Sequence, residues 1–280
     1  MLEFKNISFS YGQGTNLVRP VFSGLDLEVS QGEHLLIMGG NGSGKSTLAA
    51  LIKGLLTPQE GKIFYFGKDV TRDGINHRIG YLFSNPENQI VSPVVEDDVA
   101  FGPENYGATN KEIVYAVQQS LLRTNSEHLR KELTHQLSGG QQQRVNIAGI
   151  FALDLDCIIL DEAASMLDPS SRRELLNLIS KMHGGKKLSI IQLTHCFEEI
   201  FLADRLIVLS KGEVVFNGSP QNLIQDESAL DLLGANDDKM INLLRRLIKE
   251  EIVQAGHVKH IERLAAAIAA FKKDACLARH

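Results

Sequence analysis

The sequence predicts an α/β fold, a mainly parallel, helix-covered sheet with a small helical appendage. Three observations carry that expectation. Short apolar strands alternate with segments of helical period over most of the chain. An apolar strand, a glycine loop and a helix succeed one another directly over 33–56. Near 220 the strand pattern stops, and the remainder of the chain reads as helix. At 280 residues, one α/β domain with a smaller appendage is the division that length favours.

Taken in order, "LEFKNISFS" (2–10) and "LDLEV" (25–29) alternate like half-buried strands. "EHLLIMG" (33–39) is a short apolar strand that runs into glycines, and "STLAALIKGLL" (46–56) spaces its apolar residues at helical period. "GKIFYFG" (61–67) and "RIGYLF" (78–83) read as further strands. Residues 111–123, 127–133 and 139 to about 152 read as helices. Strand "CIILD" (157–161), a helix near 170–183, and strands "LSIIQL" (188–193), "RLIVLS" (205–210) and "EVVFN" (213–217) complete the pattern. Residues 228–233 and 239–275 then read as helices, "INLLRRLIKEEI" and "IERLAAAIAAFKK" being amphipathic or Ala-rich.

Composition narrows the function. Hydrophobic residues make up 43% of the chain, enough for a sizeable core. A net charge of −5 argues against a general nucleic-acid binder. Residues 239–280 depart from that balance, with nine Lys/Arg against four Asp/Glu. Their plain reading is a solvated helical face, and the sharper one is contact with anionic lipid. Cys157, Cys196 and Cys276 are odd in number and lack metal-ligand spacing, which fits a reducing compartment. The start "MLEFKNISFS" has no apolar core of a signal peptide, and no apolar run approaches about 18 residues. Any membrane role is therefore expected to come through a partner.

The chemistry begins at "GGNGSGKST" (39–47), which fits G-x4-G-K-[ST] with Gly39, Gly44, Lys45 and Ser46. Gly42 and Gly44 allow the backbone to turn its N–H groups around phosphate oxygens, where a Cβ would block the approach. Lys45 adds a positive charge near the β- and γ-phosphates. Ser46 offers a hydroxyl to Mg²⁺, and Thr47 can hold an α-phosphate oxygen at the helix N-terminus. In "CIILDEA" (157–163) an apolar strand delivers Asp161, suited to hold Mg²⁺ through a water, and Glu162, placed to polarise an attacking water. Two adjacent acids after a strand also suit a solvated turn; the phosphate loop gives the functional reading its weight. "LSGGQQQRV" (137–145) places Ser138 and the N–H groups of Gly139 and Gly140 at a helix start, a second anion site of different design. One pocket does not need both. Two chains paired head to tail, each completing the other's site, do.

Phosphate loop, "LSGGQ", acidic strand end and a later "LTH" occur in an order that resembles the ATP-binding cassette (ABC) ATPases, over residues 1 to about 220. The resemblance implies a P-loop ABC-type nucleotide-binding domain over 1–220, with a RecA-like core, a β subdomain and a helical signature subdomain at about 84–150. It also implies the residue roles. Gly39, Asn41, Gly42, Gly44, Lys45, Ser46 and Thr47 hold the ATP phosphates, with Ser46 and Asp161 at Mg²⁺. Tyr11 in "FSYG" stacks on adenine. Ser138, Gly139, Gly140 and Gln141, with Asp168 of "SMLDP", contact the ATP of the opposite subunit. Asp168 also suits a helix N-cap ahead of Pro169. His195 reaches the γ-phosphate and, with Glu162, is catalytic.

A narrower resemblance rests on "NPENQIVSPVVEDDVAFGPEN" (85–105) and "DEAASMLDP" (161–169), which are similar to the ATPases of energy-coupling factor (ECF) transporters, the EcfA/CbiO family. It implies an ATP-hydrolysing subunit that energises uptake of vitamins or of cobalt or nickel ions. Residues 221–280 are then a helical C-terminal dimerisation extension. Implied partners are a second ABC ATPase, paralogue or self, an EcfT-type transmembrane subunit and a substrate-binding membrane subunit, with no nucleic acid. The implied place is the cytoplasmic side of the cell membrane, held peripherally. Glu96, Asp97 and Asp98 are expected either to meet arginines of the transmembrane subunit or to complement a helix dipole. Competing readings are the ATPase of another ABC importer or exporter, a soluble ABC protein acting on DNA or ribosomes, and a low-turnover ATP-binding regulator.

Three positions depart from the family. Ala164 stands for Thr or Pro, Cys196 for the acid after the switch histidine, and Ser84 for the glutamine of "FQNP". A serine hydroxyl falls roughly 2.5 Å short of a glutamine carbonyl, so binding is expected to survive while hydrolysis slows.

Overall fold

The computed structural model describes residues 1–14, 17–183, 188–235 and 238–249. Its strands are β1 (Leu2–Tyr11), β2 (Arg19–Val29), β3 (His34–Met38), β4 (Glu60–Tyr65), β5 (Lys68–Asp69), β6 (Ile79–Leu82), β7 (Cys157–Asp161), β8 (Ser189–Thr194), β9 (Arg205–Ser210) and β10 (Glu213–Gly218). The helices are α1 (Lys45–Lys53), α2 (Val95–Asn105), α3 (Asn110–Arg123), α4 (Gly139–Phe151), α5 (Pro169–His183), α6 (Pro220–Gln225), α7 (Glu227–Leu232) and α8 (Lys239–Lys249).

Two sheets share the strands. A six-stranded sheet runs β10-β9-β3-β8-β7-β6, parallel throughout except where β10 returns antiparallel on β9. A separate antiparallel sheet runs β2-β1-β4-β5. The burial patterns explain the division. All five residues of β3 are buried, as a strand covered on both faces requires. In β1 buried and solvated positions mix, as in a sheet with one wet face.

Period-2 alternation sends the two halves of β3 to different cores. Leu35 and Ile37 pack with β1, β2 and α1, whereas Leu36 and Met38 pack with Leu206, Val208, Leu223 and Leu230. The short helices after β10 thus close the second face of the sheet. A third cluster seats α4 and α5 on β6, β7 and β8, and a fourth joins α2, α3 and α4 through Val95, Val99, Val117, Leu121 and Val145.

Register then levels the functional ends. Met38 pairs with Thr194, and Leu193 pairs with Asp161. The carboxyl ends of β3, β8 and β7 therefore finish side by side, where parallel α/β sheets place their ligands.

Three expected elements differ. The strand expected at 25–29 begins at Arg19, because Tyr11 pairs with Arg19 and Phe9 with Phe22 through bulged register. Pro20 is tolerated there because β2 is an edge strand. The helix expected at 127–133 is only a 3-10 turn, Glu127–Leu129. The carbonyls of Arg130 and Glu132 accept from the N–H groups of Glu96 and Val95 at the start of α2, so they leave the helical ladder. The helix expected at 239–275 is seen as α8 to Lys249; its remainder lies outside the described residues.

At the start of β3, His34 is fully buried, with its Nε2 on the Gln192 side-chain oxygen at 2.8 Å and its Nδ1 unpartnered among the described residues. Burial pushes its imidazole down from 6.5 to about 4. Between those values the unfolded chain binds a proton that the folded chain refuses, so this stability is present above pH 6.5 and lost as pH falls toward 4. Urea unfolding free energies measured from pH 6.5 down to about 4.5 should fall less steeply in His34→Phe than in wild type.

Candidate active site

The loop 39–44 leaves β3 and opens α1. Gly39, Gly42 and Gly44 take φ of 156°, 77° and 108°. At Gly39 a Cβ would meet the Leu209 carbonyl oxygen at 2.3 Å, so packing alone demands glycine there. Gly40 and Gly42, on either side of Asn41, are different: among the described residues a Cβ would meet nothing within 4 Å at either. At Gly40, whose φ is not left-handed, nothing among the described residues requires glycine. The turn into β10 braces the loop, Gly212 N–H donating to the Ser43 carbonyl at 3.1 Å. Asn41 and Ser46 are exposed, whereas Lys45 and Thr47 are buried.

The Lys45 ammonium donates to the carbonyls of Gly39 at 2.7 Å and Gly40 at 3.3 Å. A phosphate oxygen is a stronger acceptor than a neutral carbonyl and would capture it. Tyr11 is 45% exposed, and its hydroxyl lies 3.2 Å from the Thr47 hydroxyl. That contact puts the ring at the first turn of α1, beside the phosphate loop.

Asp161 ends β7. Burial raises its carboxyl, opposed chiefly by the Tyr81 hydroxyl, which donates to it at 2.7 Å, with the Ser46 hydroxyl nearby. Two hard oxygen groups, one carboxylate and one hydroxyl, thus face each other, a donor set that fits Mg²⁺ completed by phosphate and water oxygens. Glu162 follows at φ +50°, a conformation costing a non-glycine residue about 1–2 kcal/mol. Its N–H bonds the Leu193 carbonyl at 3.0 Å and the Ser165 hydroxyl donates to its carbonyl at 2.8 Å, so the strained turn is held from both sides. The Glu162 carboxylate lies 3.4 Å from His195 Nδ1. Both open into a cleft of about 630 Å³, walled also by Ser165, Arg172 and Cys196. Arg172, the cation beside the Cys196 thiol, pairs with buried Glu199 at 3.0 Å. A thiol in place of the usual acid therefore strands no charge.

Tyr11, 39–47, Asp161, Glu162 and His195 are thus brought to one edge. The signature is not. Ser138 N-caps α4 in a capping box: the Gln141 side-chain oxygen accepts from Ser138 N–H at 2.9 Å, and the Ser138 hydroxyl accepts from Gln141 N–H at 3.3 Å. Among the described residues no hydrogen bond joins 138–141 to 39–47. The two glycines separate by cause. A Cβ on Gly140 would meet the Ser171 hydroxyl at 2.2 Å, a reason internal to the chain, whereas one on Gly139 would meet nothing within 4 Å. Asp168 caps α5, accepting from the N–H groups of Ser170 at 2.9 Å and Ser171 at 3.1 Å; these bonds, with those of the two serine hydroxyls, hold its carboxyl well below the usual range.

The segment 83–89 shows what Ser84 leaves behind. Gln89 accepts from Phe83 N–H at 3.1 Å and donates to the Tyr81 carbonyl at 3.2 Å, so it is engaged in clamping the end of β6. Fully buried Gln143 of α4 donates to the carbonyls of Phe83 at 3.2 Å and Ala163 at 2.8 Å, tying the signature helix to both the 83–89 segment and the turn after Glu162. Nothing in "GGQQQR" separates that glutamine from its neighbours; only its phase on α4, facing inward, does so. Of the three acids, Glu96 is taken by Arg130 and Lys131, and buried Asp98 accepts from Val91 N–H at 2.7 Å and Ser92 N–H at 3.0 Å. Asp97 alone of the three is exposed.

Comparison with known proteins places this geometry. The sequence profile described as ABC transporter matches residues 22–165. An energy-coupling factor transporter ATP-binding protein EcfA1 of Clostridium novyi is 37% identical over 97% of this chain and 99% of its own length. That of Clostridioides difficile is 40% identical over 94% and 96%. Among solved structures, cbiO1 from Clostridium perfringens, part of the ABC transporter complex cbiONQ, superposes with a TM-score of 0.74 at 32% identity, covering 87% of this chain and 98% of that one. A dimeric ATP-binding cassette, MJ0796, bound to ADP and Pi in a post-hydrolysis state, gives a TM-score of 0.70 at 26% identity, covering 79% and 99%. With its phosphate loop, acidic strand end and separate signature helix in one architecture, this chain belongs to the ABC transporter family, among the energy-coupling factor transporter ATP-binding proteins.

Proposed function

We propose that the chain is the ATP-hydrolysing subunit of an ECF-type importer, residues 1–220 forming the nucleotide-binding unit and 221–280 a helical dimerisation extension. The carrying observation is the convergence of loop 39–47, Asp161, Glu162 and His195 at the carboxyl ends of three adjacent parallel strands. In this reading the N–H groups of 39–47 and Lys45 cradle the ATP phosphates, and Tyr11 stacks on adenine. Glu162 accepts the proton of an attacking water, and His195 orients the γ-phosphate and Glu162. Ser46 and Asp161 would hold Mg²⁺, which supplies positive charge against the phosphate oxygens when bound.

Open space at Gly139 supports a head-to-tail dimer, in which Ser138, Gly139, Gly140, Gln141 and Asp168 of each subunit face the ATP of the other. No helix among the described residues is long and apolar enough to cross a membrane. An EcfT-type transmembrane subunit, with a substrate-binding membrane subunit beside it, supplies the route, and the chain sits against them on the cytoplasmic side. Asp97 is the acid left to meet an arginine of that partner.

Glu162→Gln should retain ATP binding and reduce phosphate release by about 100-fold or more. Wild type that binds ATP but releases no phosphate, alone or with its membrane partner, would make the chain a regulator instead. Ser84→Gln should raise turnover, since one missing positioning group typically costs about 10- to 100-fold; an unchanged or lower rate would count against this. Gly139→Ala should leave the melting temperature at its wild-type value while lowering turnover, whereas Gly140→Ala should destabilise the fold through Ser171. Equal melting shifts in the two variants would contradict the assignment of Gly139 to an external ligand.

A further inference from the structure

The family resemblance implies a glutamine amide at position 84 reaching the metal–nucleotide site, where this chain has Ser84, and the structure offers a different group at the acid of that site. Tyr81 pairs in register with Ile159 on β7, so its side chain lies on the sheet face shared by Ile159 and Asp161. The Tyr81 hydroxyl donates to Asp161 Oδ2 at 2.7 Å. Ring and backbone are both held: Phe83 packs against the ring with centroids 4.7 Å apart, and Gln89 clamps the Tyr81 backbone carbonyl at 3.2 Å. The Tyr81 phenol thereby holds the Asp161 carboxylate, with the Ser46 hydroxyl nearby. A carboxylate that holds a cation works best when a partner of this kind sets its rotamer.

We propose that Tyr81 is a positioning residue of the metal–nucleotide site, its phenol holding the Asp161 carboxylate beside the Ser46 hydroxyl and thereby compensating for part of the contact that Ser84 is too short to make. The inference rests on the nucleotide–Mg²⁺ reading of the site. It explains how a chain lacking the glutamine keeps a competent acid at the end of β7. It also makes Tyr81 and Ser84, three residues apart, parts of one arrangement.

The test uses the full chain with ADP, and Mn²⁺ as the probe read by electron paramagnetic resonance. Tyr81→Phe keeps the ring and its packing and removes only the hydroxyl. It should weaken Mn²⁺ binding about tenfold, the lower end for losing a group that orients a metal ligand. ADP affinity in the presence of chelator should not move, because the phosphate loop is untouched. In steady state the Mg²⁺ concentration for half-maximal hydrolysis should rise by a similar factor. Tyr81→Met, a second apolar replacement, guards against a packing defect particular to phenylalanine. In the Ser84→Gln background the loss on Tyr81→Phe should shrink to about threefold or less, the signature of two groups serving one function. Equal Mn²⁺ affinity in wild type and Tyr81→Phe overturns this inference alone, and an undiminished loss in the Ser84→Gln background overturns its compensating role. A wild-type chain that binds no Mn²⁺ with nucleotide overturns the site reading and this inference with it.

Discussion

The parallel register of β3, β8 and β7 is the constraint on which the site depends. Met38 opposite Thr194 and Leu193 opposite Asp161 leave the phosphate loop, His195 and the acid pair level with one another. In a parallel ladder, slipping β7 by one residue would turn Asp161 to the other face of the sheet. The apolar runs of these strands, buried on both faces, hold that register: Leu35 and Ile37 on one side, Leu36 and Met38 on the other. Core packing and chemistry are therefore one arrangement here, and the chemistry is kept to the strand ends.

The helical layer is attached to that edge through side-chain amides. Gln143 bonds both Phe83 and Ala163, Asn146 bonds Pro86 at 2.9 Å, and Gln89 clamps Tyr81 and Phe83. A buried amide left without its acceptors costs its full desolvation, so α4 cannot shift without carrying the 83–89 segment and the turn after Glu162. The signature at the head of α4 and the turn after Glu162 are joined by one glutamine.

Much of this was legible from residue order. The glycine loop, the acids after "CIIL" and the helix-capping signature were readable because short-range chemistry sets them: positive φ needs glycine, and a helix start needs Ser138 or Asp168. The rest was not, because it depends on residues distant in sequence. The 3-10 turn at Glu127–Leu129 gives up its helical bonds to α2, about 35 residues earlier. Asp98 is consumed by the loop at Val91 and Ser92, which no count of acids reveals.

Gly139 and Gly140 draw the boundary most clearly. The sequence by itself determined the family and the order of the glycine loop, acidic strand end and signature, since these depend on residue type and spacing. Only the tertiary structure decided that Gly140 answers to Ser171 while Gly139 answers to nothing among the described residues, and that the tyrosine three residues before Ser84 reaches Asp161. The physical reason is that spacing along a chain specifies local backbone geometry, whereas the partner of a side chain is set by strand register and helix phase, which the packed core alone establishes.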